Sequence, residues 1–281
     1  MKGRAILASA LCLALSLTGC GAGGADSAAP ADRVQQEPTG PFTVDTPVEA
    51  VQQDGAFGDY GRLLFPVDTG YWSGDTLGEL QLTWYNNIDP EETVEIVNTL
   101  WQRAEAGETV FYDIYTEAEK AQDPDKADTG LFFFKGEAGA PFAVCNAGGG
   151  FAYVGAMQDS FPHALELSKR GYNAFALIYR PGAFGEEDLP QPAAVVLQYT
   201  GHAEYTPEDP PTFACVGESD WIANWRTMER RLQALQDLGI PTEFHHYPGL
   251  PHGFGLGTGT VAEGWLDETV AFWEAQRAPQ S

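Results

Sequence analysis

Asp220 and His252 are the residues of this chain best placed for acid–base chemistry. Asp220 closes the run Val216-Gly217-Glu218-Ser219-Asp220, and His252 stands in Pro251-His252-Gly253-Phe254-Gly255. A carboxylate that orients an imidazole and stabilises its charge makes that ring a general base. A third segment, Asn146-Ala147-Gly148-Gly149-Gly150, is rich in glycine. Without Cβ atoms a backbone comes close to a substrate, and its N–H groups then stabilise a developing oxyanion. Plainer readings stand beside these. The glycine run also suits a tight turn or a phosphate cradle, although GxGxxG and Walker patterns are absent. Asp220 also suits capping a helix that starts at Ile222, a job compatible with the first. His245 and His246 are adjacent in a strand-like run, point to opposite faces, and so cannot share one metal ion. They read as structural, and His202 is a candidate for a cleft floor.

These segments need a frame that brings them together. Residues 91–106 carry Val94, Val97, Leu100 and Trp101 at helical spacing after Asp89-Pro90. The runs Val110–Tyr115 and Gly130–Phe134 read as a hairpin with a long polar loop. From Pro141 the pattern becomes strands alternating with amphipathic helices. Strands are expected at 141–145, Tyr172–Tyr179, Ala193–Gln198, Thr212–Val216 and Thr242–Tyr247. Helices are expected at Gln158–Arg170, Ile222–Leu238 and Val261–Trp273. Such alternation predicts an α/β fold with a mostly parallel sheet flanked by helices. All three chemistry-bearing segments directly follow strands, and in such sheets ligands bind beyond the strands' C-terminal ends.

From about Asp128 to Trp273 the chain resembles the α/β-hydrolase superfamily, above all its small bacterial esterase and acetyl-xylan-esterase-like members. The stretches TGLFFFKGEAGAPFAV, NAGGGF, GYNAFALIYR, QPAAVVLQYTGH, PPTFACVGESD and YPGLPHGFG carry the resemblance by their order. It implies an oxyanion hole at Gly148, Gly149 and Gly150, a triad acid at Asp220 and a base at His252. It also implies a small-molecule ester or acylated carbohydrate as substrate, with no cofactor and no metal. Residues 42–110 match no motif of the family.

The family order is oxyanion loop, nucleophile, acid, base. The resemblance therefore puts a serine on a strand–GxSxG–helix elbow between the strands at 172–179 and 193–198. No GxSxG exists anywhere in this chain, and only thirteen residues, three of them proline, join those strands. Thirteen residues reach about 43 Å when extended, which closes the gap only as a nearly bare loop. The fold is thus expected to be truncated by loss of the nucleophile strand and its following helix. One sheet face should then expose apolar surface. Ser219 lies between a strand and a helix and is the candidate substitute nucleophile, but no acid follows it on a later strand before His252. Cys145 is a weaker candidate. Ser73, Ser160 and Ser168 lack the glycine neighbours of an elbow.

The N-terminus predicts an address. Lys2 and Arg4 precede an apolar run from Ala5 to Leu17, too short to span a bilayer. Leu17-Thr18-Gly19-Cys20 looks like a bacterial lipobox, with cleavage before Cys20 and lipid on its thiol. The expected domains are a signal peptide at 1–19, a lipidated and flexible tether at 20–41, and one α/β-hydrolase-like domain at 42–281. The chain has 15 Lys and Arg against 40 Asp and Glu, a net charge of −25. That surface repels nucleic acid and favours solubility outside the cytoplasm. Cys145 and Cys215 lie in apolar runs and read as buried free thiols. Two functions follow as expectations. One is an ester hydrolase lineage, lipid-anchored at the envelope and impaired for want of its serine. The alternative is a non-catalytic ligand-binding or scaffold lipoprotein.

Overall fold

The computed structural model describes residues 40–82, 88–150, 152–181 and 191–277. The signal segment, Cys20, the tether up to residue 39, Trp84, Tyr85 and residues 182–190 of the short link lie outside the described residues.

Residues 42–82 form a short helix α1 (Val48–Gln52), 3-10 turns and a ladder of β1 (Trp72–Ser73) with β2 (Gln81–Leu82). No periodic run here is long enough for a larger element, yet Phe42, Phe57, Leu64 and Leu77 are buried in the main core. Helix α2 (Pro90–Glu105) ties this segment down. Its Asn98 accepts from Phe42 N (2.7 Å) and donates to Phe42 O (2.9 Å). Asp89 caps α2 by accepting from the N–H groups of Glu91 and Glu92, and Pro90 fills the first helical turn, where no N–H is needed. The buried stripe is Thr93, Ile96, Val97 and Leu100, close to the expected one but including Ile96.

Glu92 on α2 carries a pH dependence. Burial, then Asp89, Glu166 and Glu95, push its carboxyl up to about 7, against a smaller opposing pull from Lys169. An unfolded glutamate titrates near 4.3. The folded chain therefore holds the extra proton between these values. The stability tied to that proton is full below about 4.3 and is lost as pH rises through about 7. Discounted for its partial exposure, this amounts to about 1–2 kcal/mol. Glu92→Gln is expected to raise the melting temperature at pH 8 by about 3–6 °C and to change it little at pH 4. An equal shift at both pH values in thermal melts would contradict this assignment.

The expected hairpin is shorter than its sequence run. β3 (Phe111–Tyr112) pairs antiparallel with β4 (Gly130–Phe134) for two residues. The polar stretch between them holds helix α3 (Glu117–Gln122), not a plain loop. A reciprocal Thr116–Glu119 capping box starts α3 where no apolar period announces a helix.

Strands β5 (Phe142–Asn146) and β6 (Asn173–Ile178), joined through α4 (Ser160–Lys169), complete a four-stranded sheet in the order β3-β4-β6-β5. The β5–β6 ladder is parallel and the β4–β6 ladder antiparallel. A second, all-parallel sheet has the order β7 (Val195–Gln198), β8 (Thr212–Gly217), β9 (Thr242–Tyr247). Helix α5 (Trp225–Asp237) packs on β8 and β9, and α6 (Trp265–Arg277) also reaches β8. Both helices start later than the spacing suggests. Asn224 caps α5 in place of a start at Ile222, and residues 261–264 form turns ahead of α6.

The fold class is therefore α/β, and the sheet is split between β5 and β7. Among the described residues, β5 pairs only with β6 and β7 only with β8. On one face of the four-stranded sheet, Phe132, Phe134, Ala174 and Ala176 are buried, and Phe132 packs against Phe161 of α4 (5.1 Å). The other face keeps the expected apolar surface open. Phe142 is 63% exposed, Val144 48% and Tyr112 43%. They surround a stacked Phe133–Phe175 pair at 4.7 Å.

Candidate active site

Gly217 ends β8 under the loop that follows β9. A Cβ at Gly217 would run into the Leu250 carbonyl oxygen, so glycine is needed for this close approach. The two loops are laced together. Glu218 N donates to Tyr247 O (2.9 Å) and Ser219 N to Leu250 O (3.0 Å). Gly253, with φ 75°, turns the chain directly after His252.

This lacing brings Asp220 onto His252. The Nδ1–Oδ2 distance is 2.7 Å, with the His252 side chain 8% exposed and that of Asp220 0%. Oδ1 of Asp220 accepts from Ile222 N (2.8 Å) and Ala223 N (2.7 Å). The carboxylate thus does both jobs read from sequence, although the turn it caps precedes α5 and is not its first turn. Donation from Nδ1 to the carboxylate fixes the ring's orientation and directs Nε2 to the proton-exchanging role. Around this pair the Tyr199 ring packs 4.8 Å from the imidazole.

The glycine loop departs from expectation at Gly148. Its N–H donates to Asp159 Oδ2 (2.9 Å), so this amide is already committed and does not point at a substrate oxygen. Among the described residues, the N–H groups of Gly149 and Gly150 are donated to no protein acceptor. Both residues have positive φ, 141° and 59°. The Tyr179 hydroxyl supports the loop from below by donating to Ala147 O (3.0 Å). Burial, then Asp159 and Tyr153, push that phenol up to about 12, so it stays a neutral donor.

Two residues of this site were not singled out by the sequence. Asp159 is buried and accepts from the Tyr199 hydroxyl (2.7 Å) as well as from Gly148 N. The sequence places Asp159 inside a helix from Gln158, whereas α4 starts at Ser160 and Asp159 makes no capping bond. Its partner lies forty residues away, a separation at which no local pattern signals contact.

Ser219 is exposed, and nothing in the described structure brings its hydroxyl onto the His252 imidazole. Cys145 is no better placed, because burial pushes its thiol up to about 12 and thiolate is the reactive form. Burial, with Glu268 adding to it, also raises the Cys215 thiol. Both cysteines are free, Cys215 buried as expected and Cys145 only half-buried. His245 bonds Glu243 (2.7 Å) and stacks on Phe213, while His246 bonds Glu218 (2.6 Å) and stacks on Trp225. His202 is exposed. No group of three or more metal-ligating side chains forms among the described residues.

No protein-family model and no curated protein matches the sequence. Solved structures do resemble it. An acetyl ester-xyloside bifunctional hydrolase from Caldicellulosiruptor lactoaceticus has 17% identity and a TM-score of 0.46, with 52% of this chain and 88% of that one covered. An α/β hydrolase from a Medee basin deep-sea metagenome library has 19% identity and a TM-score of 0.43, covering 53% and 92%. An esterase from Thermogutta terrifontis, bound to propionate, has 17% identity and a TM-score of 0.45, covering 56% and 93%.

Proposed function

We propose that this chain is an α/β hydrolase of the carboxylic-ester hydrolase lineage that keeps the acid–base half of a catalytic triad and lacks its serine. The observation that carries the reading is the 2.7 Å Asp220–His252 pair on loops laced together beyond two adjacent parallel strands. A buried carboxylate on Nδ1 holds the ring still and leaves Nε2 as the nitrogen that handles a proton. The substrate class is a small ester or acylated carbohydrate. His252 draws a proton from water, the resulting hydroxide attacks the ester carbonyl, and the Gly149 and Gly150 amides face the developing oxyanion. Collapse expels the alcohol, which takes the proton back from the imidazolium. His252→Ala and Asp220→Asn should both lower residual ester turnover to that of buffer. Turnover that survives both substitutions would remove the pair from the chemistry.

The site is placed outside the cytoplasm by a lipid on Cys20, in the proposed reading of Leu17–Cys20. Among the described residues no helix is long and apolar enough to cross a membrane. A lipoprotein with two or more acyl chains is stably anchored. Cys20→Ala is expected to move the protein from the membrane to the soluble fraction on cell fractionation. Equal membrane retention of the variant would rule the anchor out.

A second reading is favoured by the open apolar face at Tyr112, Phe142 and Val144 and by the committed Gly148 amide. In it the chain binds a ligand without turnover. Flat ester kinetics together with a cooperative thermal melt would support it.

A further inference from the structure

Tyr199 directly follows β7, and its N–H extends the ladder by donating to Cys215 O (2.8 Å). Its backbone then turns left-handed, with φ 39°. Bulky side chains rarely adopt that conformation, and it persists only where the surroundings over-determine it. Here the ring is held between His252 at 4.8 Å and Phe254 at 5.0 Å. Its hydroxyl reaches across the split to the buried Asp159 Oδ1 (2.7 Å), and Asp159 Oδ2 holds the Gly148 N–H (2.9 Å). Gly148 follows β5 on one sheet, and His252 follows β9 on the other. The strand that would have spaced these two sheets is missing, so their separation at the site must be set by something else.

We propose that Tyr199 and Asp159 are positioning residues that set where the His252 imidazole stands relative to the Gly148–Gly150 loop across the split sheet. The proposal rests on the reading of His252 as the base. Neither residue reaches the reacting atoms. Asp159 is a buried carboxylate satisfied by one donor from each side, and losing either donor leaves an acceptor short in a place water does not reach. The pair therefore acts as a spacer of defined length. The glycine loop cannot drift from Tyr199 without breaking a charge-assisted bond, and Tyr199 cannot tilt without moving the imidazole it packs on.

The test uses the full chain with Tyr199→Phe, Asp159→Asn and the double substitution. Phenylalanine keeps the ring and its packing and deletes only the hydroxyl. The readouts are the Gly148 amide and His252 ring NMR signals, the melting temperature, and turnover of an activated acetyl ester. Tyr199→Phe is expected to move both sets of signals, and the double substitution to move them no further than Asp159→Asn alone. The share of turnover lost in His252→Ala should fall about tenfold in kcat with KM unchanged, while the melt shifts by only a few degrees. The proposal is overturned if Tyr199→Phe leaves both sets of signals in place, whether or not the protein melts earlier. A lower melting temperature alone would make Tyr199 a packing residue. If wild type and His252→Ala turn over ester equally, the base reading fails, and the NMR signals still decide whether the spacer exists.

Discussion

Given an activated acetyl ester, the purified protein is expected to turn it over hardly above buffer, and Ser219→Ala is expected to change nothing. Members of a serine triad act as a unit, and removing the nucleophile from one well-studied protease costs about 10⁶ in kcat. What survives such a loss is the contribution of binding and oxyanion stabilisation, about 10³–10⁴ over water. Here even that remainder should be smaller, because the Gly148 N–H is held by Asp159. The Asp220–His252 pair is intact at 2.7 Å, but no serine is carried to it on an elbow, and Ser219 offers an exposed hydroxyl on the wrong loop. A fluorophosphonate probe should therefore leave the protein unlabelled. Labelling that disappears in Ser219→Ala would show that Ser219 has replaced the lost nucleophile. Fast, probe-sensitive turnover that ignores Ser219→Ala would reveal a nucleophile elsewhere in the chain.

Gly217→Ala is expected to force the two laced loops apart. Its Cβ would collide with the backbone carbonyl of Leu250, and a backbone atom has no rotamer to move into. Relief requires the Tyr247–His252 loop to lift from β8, which strains the Glu218–Tyr247 and Ser219–Leu250 bonds together. Overpacking that displaces backbone in a buried place costs about 2–3 kcal/mol, or roughly 4–12 °C of melting temperature for a domain of this size. The same lift would part His252 from Asp220, so the downfield Nδ1 proton signal of a charge-assisted pair should vanish. As a control, Gly139→Ala adds its methyl to open space on an exposed turn. There φ is 76°, so only backbone strain is added and the site is untouched. A Gly217→Ala protein that melted with the wild type would mean that the close approach of the two loops is not real.

Sequence patterns exposed the frame well. A continuous apolar run gave β8, and strand-end placement alone brought Asp220 and His252 to one locus. The thirteen-residue link with three prolines was too short for a strand, an elbow and a helix, and the sheet is split at that place. Other features were hidden for identifiable reasons. The direction of the Gly148 N–H depends on φ and ψ in a segment where glycine permits almost any value. Asp159 and Tyr199 meet across forty residues, with no period to link them. Helix α3 was written in Thr116 and Glu119, but a six-residue helix with no buried residue leaves no apolar stripe to read. Val110–Tyr115 looked like a full strand because its residues favour strands, although β4 pairs with only two of them.

The split sheet also bears on how this chain comes apart. In an unbroken sheet, ladder bonds run from edge to edge, and opening one strand weakens the next. Here that continuity stops between β5 and β7. Each half buries apolar residues on its own helices, Phe161 of α4 under β4 in the first and Phe272 of α6 beside Phe213 in the second. The halves are nonetheless joined off the sheet: His163 of α4 lies edge-on to Trp265 of α6 at 5.4 Å, Arg170 pairs with Asp267 at 2.8 Å, and one buried core runs through both. Opening at the stop is thus resisted by side-chain packing between the halves and not by ladder bonds, so solvent exchange of the β5 and β7 edge amides should report on the α4–α6 contact.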